Sequence, residues 1–297
     1  MRISCIIPTH RRPDWLREAL TSVSAQTLVP HEVLVVDDAA DPATSTTVTG
    51  GRWLAPVTLL HGVRPGASAS RNLGVAESTG DVLAFLDDDD LWEPTYLAAA
   101  AAALTATGSD IVVTHIDVLE HDQRRPWGSI PEGLASSDVI AVNPGAMGSN
   151  LVLTRAAFAS VGGFDEDLWV SNDKDLFFRL LQAGYTYVVV AEPLVVMREH
   201  GGDRLTGVTR ARVEGYRRYL AKHRASTSSR DRRLLRAKIV RAQRDAAGSR
   251  AARLWHELRL VPLLGPGAAT RKIARGLRAR HGGRRDGGAG GTDEGRR

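Results

Sequence analysis

Short, almost unbroken apolar runs recur along the first 115 residues: Ile3 to Ile7, Glu32 to Val36, Val57 to Leu60, Val82 to Leu86 and Ile111 to Thr114. They are rich in β-branched residues and continuous rather than alternating, which predicts strands of a mostly parallel sheet covered on both faces. Between the first two, Leu16, Leu20 and Val23 fall on one stripe of the segment Pro13 to Gln26, with Pro13 at its start. That spacing predicts an amphipathic helix. Ala67 to Ala76 and Pro94 to Thr107 fill the later gaps in the same way. The pattern is a series of βα units, an α/β fold whose working loops lie at the carboxyl ends of the strands.

From about Asp110 to Leu205 the pattern is less regular, broken at Pro126, Pro131, Pro144-Gly145 and Gly162-Gly163 around a strand at Asn150 to Leu153 and a helix at Asp173 to Gln182. These breaks divide the chain into a first half, 1–110, and a second half of the same domain, 111–205. Beyond it the spacing stays helical while the composition turns to Arg and Ala, a basic extension over 206–281. Residues 282–297 carry Gly, Arg and Asp without a core-forming pattern and are expected to be disordered.

Charge sharpens this division. The net charge of +5 combines −13 over residues 1–207 with +18 over 208–297, a division compatible with two functions joined in one chain. Leu254, Trp255, Leu258 and their apolar neighbours among the arginines suggest an amphipathic surface that suits an anionic membrane. A solvated helix packed on the acidic region is the plainer alternative, and nucleic acid ranks lower because charge alone would carry it. The single cysteine, Cys5, sits inside the first apolar run and reads as a core residue. No run approaches the ~20 apolar residues of a membrane span and no leader pattern is present. A cytoplasmic protein is the expectation, with peripheral attachment to the inner face of a membrane as one option for the basic extension.

Asp87-Asp88-Asp89-Asp90 follows the run Val82 to Leu86 directly, so four carboxylates crowd the end of a buried strand. Like charges that close repel, and a divalent cation with oxygen ligands is a common remedy; a solvated acidic turn is the bland reading. Asp37-Asp38 ends the second run in the same way, and a parallel sheet brings both pairs to one edge, where they can cooperate. Between them, Gly66 to Asn72 joins a flexible loop, a helix start and Arg71, a combination suited to a phosphate.

These pieces, in this order, resemble family 2 glycosyltransferases of the GT-A fold. The resemblance runs from Ile3 to about His200 and rests on Ile6-Ile7-Pro8-Thr9, Glu32 to Asp38, Ala69 to Gly74, Phe85 to Asp90, Gly162 to Glu166, and Asn172 to Leu176 with Arg179-Leu180. It implies a Rossmann-like, mostly parallel sheet and inverting transfer of a sugar from a nucleoside-diphosphate donor, with UDP favoured. The acceptor hydroxyl would belong to a glycan, a lipid-linked molecule or a small molecule. By the same resemblance Pro8, Thr9 and Asp38 look like the nucleotide pocket, and Arg71, Asp87 and Asp88 like further donor contacts. Asp89 and His200 look like ligands of Mg²⁺ or Mn²⁺, and Asp173 like the catalytic base. Trp169 and Asn172 are acceptor-side candidates. Asn172 stands where the family usually has Glu, which removes a like charge from beside Asp173 and favours its ionisation.

Two other readings compete. A nucleotidyltransferase also uses metal-binding aspartates, but the basic stretch Pro8 to Pro13 has no glycine to form a phosphate loop. A non-catalytic glycan- or nucleotide-binding module would keep the fold without turnover, and the presence of both Asp89 and Asp173 argues against it.

Overall fold

The computed structural model describes residues 1–121, 123–199 and 210–263. The chain forms two compact units, one from Met1 to Arg232 and one from Arg233 onward. In chain order the elements are β1 (Ile3–Thr9), α1 (Pro13–Ser24), β2 (Glu32–Asp37), α2 (Pro42–Gly50), β3 (Val57–His61), α3 (Ala67–Glu77), β4 (Val82–Phe85), β5 (Asp90–Trp92) and α4 (Tyr96–Thr107). Then come β6 (Ile111–Glu120), β7 (Gln123–Gly128), α5 (Ser136–Val139), a 3-10 turn (Gly148–Asn150), β8 (Leu151–Thr154), α6 (Arg155–Ser160), α7 (Asn172–Gln182) and β9 (Tyr187–Arg198). The helices α8 (Arg210–Lys222), α9 (Ser229–Asp245) and α10 (Arg250–Leu260) follow.

The strands form one sheet in the order β3-β2-β1-β4-β8-β6-β9-β5, with β7 paired to β6. The pairs β3–β2, β2–β1, β1–β4 and β6–β9 are parallel, while β8 runs antiparallel to both β4 and β6. Register fixes the site: Thr9 stands opposite Asp37, and Ile6 opposite Phe85, so β1, β2 and β4 all end at one edge. Every residue of β1 is buried, and Cys5 lies in the core as a packing residue. α3 is pressed onto this strand, since a Cβ on Gly74 would come within 2.6 Å of Ile6 Cγ2. That close approach sets the height at which α3 presents Arg71.

Periodicity passes over several elements here, α2, β5, β7, α5, α6 and β9. α2 is built from Thr, Ser and Val, poor helix formers, yet Pro42 occupies its first turn and the Asp41 carboxylate accepts from the Ala43 N–H at 3.0 Å. β9 is interrupted by Glu192 and Pro193, which coincide with the register shift against β6.

α7 is fastened from below by buried charge. Asp175, 0% exposed, accepts from Arg179 Nε at 2.8 Å and from Lys222 Nζ at 2.8 Å, and pairs with His223 Nε2 at 2.7 Å. Lys222 also reaches Asp165 at 2.6 Å. Next to it, Lys174 donates to the Ile140 carbonyl at 3.1 Å and lies 3.7 Å from the centre of the Tyr219 ring. α8 thus ties α7 to the loop before β8.

Burial alone would raise the Asp175 carboxyl, but the His223 hydrogen bond, the Arg179 charge and the hydrogen bonds from Lys222 and Arg179 outweigh it and hold it at about 2. A depressed carboxylate stabilises the fold above its unfolded value of about 3.9, and that stabilisation is lost as pH falls towards 2. Urea unfolding of Asp175→Asn at neutral pH is expected to show a loss of about 2 kcal/mol relative to wild type. The gap should close between pH 4 and 2; a gap constant with pH would refute the charge account.

Candidate active site

The acidic loop begins where β4 stops. Leu86 N–H donates to the Ile6 carbonyl at 3.1 Å, and the chain then turns, Asp90 N–H donating to the Asp87 carbonyl at 3.1 Å. Ser149, on the 3-10 turn, braces this turn: its hydroxyl donates to Asp90 Oδ2 at 2.6 Å and accepts from the Asp87 N–H at 3.1 Å. Trp92 Nε1 donates to the Ser149 carbonyl at 2.8 Å. As a result Asp87, Asp89 and Asp90 each offer a carboxylate oxygen within 4.8 Å of the others. An all-oxygen donor set of this kind fits Mg²⁺ or Mn²⁺.

Two arginines are drawn to the same loop. Arg71, 2% exposed on α3, bonds Asp87 through Nη2 and Asp173 through Nη1, the latter at 3.4 Å, and its Cζ lies 5.1 Å from the centre of the Phe164 ring. Arg12 donates to Asp89 at 3.0 Å and Asp88 at 3.2 Å. Asp88 is turned inward, its other oxygen accepting from Thr9 Oγ1 at 2.8 Å. Burial and the neighbouring Asp89 charge push the Asp88 carboxyl up to about 6 against the pull of Arg12 and Thr9.

Asp173 opens α7 as its second residue. Ser171, just before the helix, is left-handed at φ 63° and carries no side-chain cap bond. Asn172 reaches back to α3, Nδ2 donating to Ser68 Oγ at 3.0 Å, while its Oδ1 accepts the Asp173 N–H at 2.8 Å. The uncharged residue at 172 does remove a like charge. Even so, burial pushes the Asp173 carboxyl up, and Asp87 adds to this, while Arg71 and the Gly148 N–H pull it down; the outcome is a raised value.

The nucleotide-side residues are less uniformly placed. Pro8 is buried within β1 opposite Val36, and Thr9 is occupied with Asp88. Asp37 does not join the edge: its two oxygens accept the Ala39 and Asp41 N–H groups at 2.9 and 2.8 Å and shape the turn after β2. Asp38 does face the edge, bonded to the Gly66 N–H at 2.6 Å and to His10 Nδ1 at 2.5 Å. Arg11 and Ala40, in the loops on either side, have positive φ of 54° and 50°, strain of a kind that gathers at functional loops. Trp169, 48% exposed, lines a small pocket with Gly66, Ala67, Ser68, Leu168 and Asn172. His200 lies outside the described residues.

Arg12, Asp90, Gly148 and Ser149 join the site without having been singled out by motif. Asp90 carried a signal as part of the acidic run. Arg12 comes to the loop because β1 lies beside β4, and Gly148 and Ser149 become visible only when the sheet brings β8 beside β4.

A mostly parallel sheet with an acidic loop at its carboxyl edge is the GT-A type of glycosyltransferase fold. It is shared with the crystal structure of S. aureus TarS 1-349 in complex with UDP-GlcNAc (TM-score 0.60, 17% identity, 83% of this chain and 80% of that one). It is shared also with the mannosyltransferase PcManGT from Pyrobaculum calidifontis in complex with GDP-Man and Mn²⁺ (TM-score 0.60, 18% identity, 94% and 80%). The chain belongs to Glycosyl transferase family 2, whose profile matches residues 4–159; that of Glycosyl transferase family group 2 matches residues 82–274. Among curated relatives, the uncharacterized glycosyltransferase YwdF of Bacillus subtilis (strain 168) is 31% identical over 134 residues, 42% of this chain. The chain spans only 45% of that relative's length.

Gly148 is the tightest point of the site. A Cβ there would meet Arg71 Nη2 at 2.8 Å and Asp173 Oδ1 at 3.4 Å. In a crystal structure of Gly148→Ala the guanidinium is expected to move off Asp173, with unfolding made easier by about 1–2 kcal/mol as the buried pair separates. An unmoved Arg71 would mean that the turn itself gives way instead.

Proposed function

We propose that the chain transfers a sugar from a nucleoside-diphosphate donor to an acceptor hydroxyl with inversion at the anomeric carbon. The observation that carries this reading is the bridge through Arg71, which links Asp87 of the acidic loop to Asp173 at the start of α7. The pole suited to the donor diphosphate and the carboxylate suited to the acceptor thus share one buried cation.

Asp87, Asp89 and Asp90 are the residues to hold Mg²⁺ or Mn²⁺, with His200 as a further candidate ligand. When bound, such an ion supplies charge neutralisation for the diphosphate. Asp173 accepts the proton of the acceptor hydroxyl as the oxygen attacks C1 of the sugar from the face opposite the diphosphate. The bond from C1 to the phosphate oxygen breaks, and its electron pair leaves with the nucleoside diphosphate. The raised pKa of Asp173 makes it a better proton acceptor than an ordinary carboxylate, and general base catalysis of this type contributes ~10²–10⁴-fold. Arg71, buried between Asp87 and Asp173, faces the charge that develops on the leaving group. Asp38 with Pro8 and Thr9 forms the nucleotide end, and Trp169 beside Asn172 offers an acceptor ring a face to stack on.

UDP is the first donor nucleotide to test, supported by the likeness in fold to a protein solved with UDP-GlcNAc; GDP is the second, by the likeness to one solved with GDP-Man and Mn²⁺. Calorimetry of UDP with Mn²⁺ is expected to show binding that chelator abolishes and that Asp89→Ala weakens by about tenfold or more. Asp173→Asn should keep donor binding within about threefold while turnover falls by ~10²-fold or more. An Asp173→Asn protein with full turnover removes the base assignment, and a wild type that binds no nucleotide with or without metal favours the non-catalytic module.

A further inference from the structure

The second unit carries a surface that the proposed transfer reaction does not use. α10 is well formed by itself: the Ser249 hydroxyl accepts the Ala252 N–H at 3.1 Å at its start. Leu260, 0% exposed, packs with Ala237, Val240 and Leu263 on its inner side. On its outer side Leu254, Trp255, Leu258 and Val261 are 59, 56, 63 and 40% exposed. At 3.6 residues per turn these four share an arc of roughly 120°, and no acidic residue falls within it. Arg250 and Arg259 flank the arc on its two sides, Arg259 Cζ lying 4.5 Å from the centre of the Trp255 ring. A shallow apolar groove lined by Ile239, Val240, Pro262 and Leu263, with Arg236 and Arg259, adjoins it.

Charge selects the occupant. Residues 233–263 hold eight Lys and Arg against two acids, Asp245 and Glu257, and both acids are engaged by Arg244, at 2.6 and 2.8 Å. The cations flanking the apolar arc therefore act on their surroundings with little internal cancellation. An exposed Trp-Leu-Leu-Val face between guanidinium groups matches a bilayer interface, where the apolar side enters the acyl boundary and the arginines meet phosphate oxygens. Among the described residues no helix is long and apolar enough to cross a membrane.

We propose that α10 docks this chain onto an anionic lipid bilayer, Leu254, Trp255, Leu258 and Val261 entering the interface and Arg250 and Arg259 binding lipid phosphates. The test is sedimentation of the full chain with vesicles of phosphatidylcholine alone or with about one-third phosphatidylglycerol. Wild type is expected to partition at least about tenfold more strongly onto the anionic vesicles, with the preference weakening as salt rises. The pair Trp255→Glu and Leu258→Glu, both at exposed positions, should lower that partitioning about tenfold or more with an unchanged circular dichroism spectrum and thermal midpoint. Arg250→Gln with Arg259→Gln, tested in parallel, should reduce the preference for anionic lipid severalfold. The proposal is overturned if wild type ignores the anionic vesicles or if the Glu pair binds them as wild type does. It is equally overturned if light scattering shows that the Glu pair dissolves a dimer of this chain while vesicle binding persists, which would assign the face to a second copy. None of these readouts requires a sugar donor, so they stand apart from the test of transfer.

Discussion

Removing a guanidinium from water costs several kcal/mol unless carboxylates meet it in good geometry, and much of this molecule is arranged to make that possible for Arg71. Its helix is brought down on β1 by a glycine, Gly74, whose missing side chain leaves room for Ile6. Its two carboxylate partners come from distant parts of the chain, Asp87 from the end of β4 and Asp173 from the start of α7. Gly148 closes the remaining side without a Cβ, and Phe164 covers one face. A shift in any of these elements leaves either a buried cation short of a partner or a buried carboxylate without its cation.

Around this bridge the charge is unbalanced. Four consecutive aspartates meet two arginines, and Asp88 is so far from comfortable ionisation that its carboxyl is pushed to about 6. The turn is braced all the same by Ser149 and Trp92, both uncharged. This division of labour, with neutral groups fixing the shape and charged groups left in excess, is in keeping with the proposed binding of a divalent ion and a diphosphate.

Much of the first half could be read from the chain because its signals are local. Ile3 to Ile7, Glu32 to Val36 and Val82 to Leu86 announce their strands by composition, and the parallel order then dictates that Asp38 and Asp87 share an edge. Asp37 misleads for the same reason: adjacency to Asp38 suggests a shared role, whereas strand alternation turns it inward to the N–H groups of its own turn. The second half is harder because its cues are interrupted. Tyr187 to Arg198 carries Pro193 in the middle of a strand, and Gly148-Ser149 has no periodicity at all. Its place beside Arg71 follows from β8 running antiparallel to β4, which no short-range pattern records. The ion cluster at Asp175 likewise depends on partners at 179, 222 and 223, only the first of which lies within helical reach.

The clamp on α7 also gives the molecule a direction in time. Lys222 and His223 lie about 50 residues beyond the carboxylate they hold, so a nascent chain emerging from its amino end carries the acidic loop and Arg71 before it carries these cations of Asp175. Until then α7 opens with Asp173 and Asp175 close together and only Arg179 to offset the buried one. The Asp173 end of the edge thus depends on cations that the chain supplies only after it.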